Sequence, residues 1–90
     1  MPTLRIPEAL CRYARGEVAL EVAGATVGEA LLDAFERYPD LRTRLVDEAG
    51  LVRLHLAIFR NEEQLRREEA AAVPLGAGDS LTLLVAVGGG

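Results

Sequence analysis

The chain has 90 residues, enough for one domain with a modest core and too few for a second. Half of its residues are hydrophobic and 27% are charged, as in ordinary folded domains, and the formal net charge of -4 argues against a nucleic-acid surface. All 10 basic residues are Arg, scattered along the chain, and Cys11 is the only cysteine, which excludes an intrachain disulfide and a cysteine-based metal site. No apolar run approaches a membrane span, and Met1-Pro2-Thr3-Leu4-Arg5 lacks the form of a signal peptide. A cytoplasmic protein is expected, with no membrane and no directly bound nucleic acid as partner.

Thr3-Leu4-Arg5-Ile6 alternates polar and apolar residues and stops at Pro7, which predicts a short first strand with Leu4 and Ile6 facing the core. Glu8 to Gly16 is a connecting stretch. Glu17 to Val22 alternates again, with Val18, Leu20 and Val22 on one face, so the two runs form a hairpin with a long loop.

Thr26-Val27-Gly28-Glu29 is a capping box, the clearest local signal in the chain. Val27, Ala30, Leu31, Ala34, Phe35 and Tyr38 follow at helical spacing, and Pro39 ends that helix. Leu41, Leu45 and Val46 add a short helical turn before Gly50. A third strand is expected within Leu51 to Arg60, with Leu54, Leu56 and Ile58 on one face and His55, Ala57 and Phe59 on the other. Asn61-Glu62 is a turn, Glu63 to Arg66 a charged edge strand, and Pro74 to Asp79 a tight loop.

Ser80 to Val85 is apolar almost without a break, so it belongs inside the sheet. The order of elements predicts an α+β fold, a mixed sheet of four to five strands crossed by one main helix. Residues 1-85 form the domain, and 86-90 are expected as a flexible tail.

Gly88, Gly89 and Gly90 serve no folding purpose, since glycine loses the most freedom on ordering and packs nothing. Two readings of the tail stand at this point, an ordinary frayed terminus or a device for access: without Cβ atoms the main chain can enter a narrow channel and expose the terminal carboxyl carbon. Ala86, Val87 and the glycines can reach roughly 16 Å when extended. Ordering such a tail costs about 1–2 kcal/mol per residue, so the folded body must supply contacts to a partner. With Leu81, Leu83 and Val85 facing the helix, Leu84 points outward on the face of Ala57 and Phe59, a candidate docking patch.

No catalytic set accompanies the tail. The chain has no phosphate-cradling G-x-x-x-x-G-K-[ST] loop, and a lone His55 and a lone Cys11 make no pair. Cys11 reads as a small packing residue and His55 as a strand residue. Glu62, Glu63, Glu68 and Glu69 read as a solvated acidic face.

Taken together, Ile6-Pro7, Thr26 to Leu31, Tyr38-Pro39-Asp40-Leu41, Phe59 to Glu63, Gly78-Asp79-Ser80-Leu81 and Ala86 to Gly90 resemble the ubiquitin-like β-grasp sulfur carriers. That family includes the small subunit of molybdopterin synthase, the thiamin sulfur carrier and the carrier for cysteine synthesis, to which the Leu51 to Glu63 segment is most similar. The resemblance implies a β-grasp fold and a carrier with no catalytic residue, no metal and no bound cofactor. It further implies that a ubiquitin-activating-type adenylating enzyme, using ATP, joins the carboxylate of Gly90 to AMP. A sulfur donor then leaves a thiocarboxylate on Gly90, and a sulfur-accepting synthase receives it, with Ala86, Val87, Gly88 and Gly89 lying in the partner's channel. Conjugation of Gly90 to lysines of other proteins shares the activation step and stands as the alternative. Lacking lysine, the chain cannot extend such a modification on itself.

Overall fold

Alternating apolar residues build the sheet of this protein, whose computed structural model describes residues 1–86. The expectations for Val87, Gly88, Gly89 and Gly90 lie outside the described residues. Strands β1 (Thr3–Arg5) and β2 (Ala19–Glu21) pair antiparallel, with buried Leu4 opposite buried Leu20. Strands β3 (Leu56–Arg60) and β4 (Glu63–Leu65) form a hairpin whose turn is Asn61-Glu62. Strand β5 (Ser80–Val85) runs between the two hairpins, parallel to β1 and antiparallel to β3. The resulting order is β2-β1-β5-β3-β4, a five-stranded mixed sheet with the expected apolar strand at its centre. This is the ubiquitin-like β-grasp architecture.

Helix α1 (Val27–Arg37) buries Val27, Ala30, Leu31, Ala34 and Phe35, its whole apolar stripe, in one core with Leu4, Leu20, Ile58, Leu81 and Leu83 of the sheet. Its start is held from three directions. The Thr26 hydroxyl accepts from Glu29 N at 3.2 Å, and the Glu29 carboxylate accepts from Ala25 N at 2.9 Å, one residue further back than the usual capping box. Val27 N, a donor with no partner inside the helix, donates to Val73 O at 2.9 Å. Two glycines permit this closeness. A Cβ at Gly24 would stand 2.6 Å from Ala30 N, and one at Gly28 would stand 3.1 Å from Ala71 O, where the short 3-10 turn Ala70–Ala72 packs on α1.

Pro39 both stops α1 and opens α2 (Pro39–Leu45), because a residue without an N–H is tolerated in the first turn of a helix. The helical turn expected from Leu41, Leu45 and Val46 is this helix; Leu41 and Leu45 are fully buried, and Val46 lies just past its end in extended conformation.

Several expectations are corrected. The stretch after Pro7 is not merely a connection: Glu8–Ala14 forms a 3-10 helix, whose three-residue period turns Leu10, Tyr13 and Ala14 toward the core. Val18 is 41% exposed, because β2 begins only at Ala19. Leu54 is 81% exposed, because β3 begins at Leu56 and Val52 instead pairs with Val46 in an isolated bridge. Val85 is 50% exposed although alternation puts it on the helix side of the sheet, opposite the buried Leu56, because it is the last residue of its strand. Loss of the Thr26 cap is the sharpest test of the helix start: Thr26→Ala should lower stability by about 1 kcal/mol. In a thermal melt of this small domain that is a fall of about 5 °C.

Candidate functional site

The site is built at the end of β5, and its precision comes from what fixes β5 at its beginning. Asn61 adopts a left-handed conformation at φ 54°, which Asn tolerates better than most residues. Its amide then reaches β5 twice: Oδ1 accepts from Ser80 N at 2.9 Å, and Nδ2 donates to Asp79 Oδ1 at 3.1 Å. The other Asp79 oxygen accepts from Gly76 N at 2.8 Å, and its carbonyl accepts from Thr3 N at 3.0 Å. One short polar cluster therefore fastens the β3–β4 turn, the Pro74 to Asp79 loop and the first strand to the start of β5.

From that clamp β5 runs the length of the sheet, with Leu81 and Leu83 buried on the helix side. On the opposite face Leu84 stands beside Ala57, and Thr82 beside Phe59. Leu84 is 49% exposed, and Ala57 and Phe59 are half-buried, so the structure brings the three residues together on one outward face. Ala86 N donates to His55 O at 2.8 Å, extending the pairing with the β3 side one residue beyond the strand. The chain thus leaves the sheet from a fixed point. Gly90, with Val87, Gly88 and Gly89, lies outside the described residues.

Leu54 and Val85, which alternation assigns to the core, join Leu84 as exposed apolar side chains around this exit. Leu56 pairs with Val85, and Leu54 stands just before it, so both surround the root of the C-terminal segment.

His55 is exposed and Cys11 is a half-buried free thiol. Among the described residues no group of three His, Cys, Asp or Glu side chains is arranged to hold a metal, and no helix is long and apolar enough to cross a membrane.

A β-grasp body that delivers its C-terminal chain from a rigid central strand, with apolar residues around the exit, defines a carrier class rather than an enzyme. The comparisons agree. The model of the ThiS family matches residues 4–90. The sulfur carrier protein CysO of Mycobacterium tuberculosis is 32% identical over 90 residues, covering 98% of this chain and 97% of its own. A chain of the crystal structure of the Amycolatopsis orientalis BexX/CysO complex matches with a TM-score of 0.87 at 33% identity, covering all of both chains. SAMP1 from Haloferax volcanii matches with a TM-score of 0.73 at 30% identity over 99% of this chain and 98% of that one. The chain belongs to the ThiS family of sulfur carrier proteins.

The Asp79 clamp titrates. The Gly76 N–H, then the Asn61 amide and the nearby Arg60 charge, hold its carboxyl below the ordinary value. A depressed folded value means that the ionised form stabilises the fold above the unfolded pKa of about 3.9, and that this contribution disappears as pH falls through the folded value. Asp79→Asn is expected to melt lower than the wild type near neutral pH and to lose less on acidification below about pH 4. Melting curves at several pH values check this, and two parallel profiles would refute it.

Proposed function

We propose that this chain carries sulfur as a thiocarboxylate on Gly90. The carboxylate of Gly90 attacks the α-phosphorus of ATP on a ubiquitin-activating-type adenylating enzyme, releasing pyrophosphate and forming an acyl-adenylate. A sulfur donor, entering as hydrosulfide or its equivalent, adds to the carbonyl carbon and displaces AMP. The thiocarboxylate then gives its sulfur to the acceptor of a synthase, and hydrolysis returns the carboxylate. On this reading the steps run in the cytoplasm, and ATP is a substrate of the partner, never a cofactor bound here.

The observation that carries the reading is the delivery of β5 to Ala86 at an exposed apolar rim, with Val87-Gly88-Gly89-Gly90 next in sequence. Glycine at the last three positions leaves the carbonyl carbon of Gly90 open to a nucleophile. Residues 1-85 act as the body, and Ala86, Val87, Gly88 and Gly89 as the part that enters a partner's channel. The complex of a CysO chain with BexX supports docking of such a body on a protein partner. Which pathway receives the sulfur is narrowed to biosynthesis by the family, with cysteine favoured by the likeness to CysO.

A specific likeness supports a second reading. The Haloferax volcanii small archaeal modifier protein 1 matches this chain at 30% identity, so conjugation of Gly90 to lysines of other proteins shares the same body and the same activation. High-mass adducts that survive reducing denaturation and require Gly90 would favour it.

Intact mass of the chain, purified from its own cells without reductant, tests the first reading. The expected result is a species with sulfur in place of one oxygen, localised to Gly90 and absent after hydrolysis. If incubation with ATP and the adenylating enzymes of the same cells yields no adenylate, the reading fails.

The docking face can be tested separately. Leu84→Asp adds charge to a half-exposed position on the outer face, so its melting temperature should stay near that of the wild type while partner binding weakens by about tenfold or more. Unfolding of this variant, or unchanged binding, would remove Leu84, Phe59 and Ala57 from the interface.

A further inference from the structure

Arginines scattered in the sequence meet at one end of the fold. The guanidinium carbons of Arg12 and Arg44 lie 5.0 and 4.6 Å from the centre of the Tyr13 ring. Those of Arg15 and Arg37 lie 6.0 and 5.9 Å from the centre of Tyr38. The expectation of dispersed basic residues is thereby corrected: α2 packs on the 3-10 helix Glu8–Ala14 and brings Arg44 to Tyr13.

Of these four arginines, only Arg37 has a carboxylate partner among the described residues, Asp33 at 3.1 Å. Arg12, Arg15 and Arg44 are exposed and pair with none there. Glu8 and Asp40, on the same two short elements, stand in their first turns and pair with none of them either. Arg15 also sits in the left-handed region at φ 56°, where Gly or Asn would be less strained. The backbone tolerates that strain, and the side chain it presents is another cation over a tyrosine.

Topology fixes where this cluster stands. The 3-10 helix follows β1, and β1 runs parallel to β5, so both exit at the same end of the sheet. From α2 the chain leads into β3, whose first residue pairs with Val85. The 3-10 helix that carries Arg12 and Tyr13 therefore stands at the end of the sheet toward which β5 runs.

We propose that the arginine–tyrosine cluster docks an acidic segment of the protein that receives the C-terminal segment, an inference that rests on the carrier reading above. A guanidinium stacked on a ring keeps in-plane N–H donors for a carboxylate, which it bonds in bidentate fashion; Arg12 gives one of its donors, Nη2, to the Tyr13 hydroxyl at 2.9 Å, and the bidentate role falls to Arg44. A nucleic acid fits less well, because the tyrosine faces are already covered by guanidiniums and the whole chain carries a net charge of -4. An unpaired positive surface on an otherwise acidic body also orients the approach, bringing the tail end to the partner first.

The probe is an oligoglutamate peptide, titrated at low salt into the full chain and followed by NMR. It should shift the Arg12 and Arg44 Nε–H signals and the Tyr13 ring signals. Arg44→Glu should abolish those shifts, while Arg66→Glu, with the same change in net charge, should retain them; Arg44→Gln replaces the first variant if it fails to fold. No shift in the wild type, or equal loss in both variants, overturns the proposal. So does tighter binding of a single-stranded oligonucleotide of matched charge, or a concentration-dependent dimer that Arg44→Glu dissolves. With the adenylating enzyme, Arg44→Glu should lower kcat/KM about tenfold at low salt, with kcat unchanged and the difference vanishing at high salt. If the wild type is never adenylated, the carrier reading falls, and the peptide titration alone decides whether the cluster binds acidic chains.

Discussion

Strand β5 is bonded along both edges, to β1 on one side and β3 on the other. It also supplies Leu81 and Leu83, among the most deeply buried side chains of the core. A strand in that position cannot shift register by one residue without moving its buried leucines to the solvent face. The direction and depth at which the chain emerges at Ala86 are therefore set by the same packing that holds the protein together. For a carrier whose reacting group is expected a few residues further on, this constraint converts global stability into positional accuracy.

The two ends of β5 are treated in opposite ways. Its start is enclosed by polar bonds from Asn61, Asp79 and Thr3, which leave little freedom to the loop before it. Its end is left bare: Leu84, Val85 and Leu54, in the turn before β3, are exposed. Exposed apolar residues scattered over a surface mean little, but these gather at the exit of the chain, where a protein partner would cover them.

A second polar anchor supports the opposite layer. Asp47 accepts from Ala49 N and Leu51 N and pairs with Arg67 at 3.0 Å, while Arg67 Nε donates to Val52 O. The loop between α2 and β3 is thus tied to the segment after β4. This ties down the chain just before β3, and His55 of that stretch is the residue that bonds Ala86.

Much of the protein was determined by the sequence itself. The capping box at Thr26, the apolar stripe of α1, the alternation in β1 and the unbroken apolar run of β5 are local patterns with local physical causes, and each appears where those causes predict. The outward direction of Leu84 followed from the two-residue period of strands, while its place beside Ala57 needed the pairing of β3 with β5. What only the tertiary structure decided were the features that depend on where one layer ends and which distant elements meet. Alternation assigns Leu54 and Val85 to the core because it carries no information on where β3 begins and β5 ends within the sheet. The arginines look scattered because their meeting around Tyr13 and Tyr38 arises from α2 packing on the turn after β1, a contact between segments some thirty residues apart that no local pattern encodes.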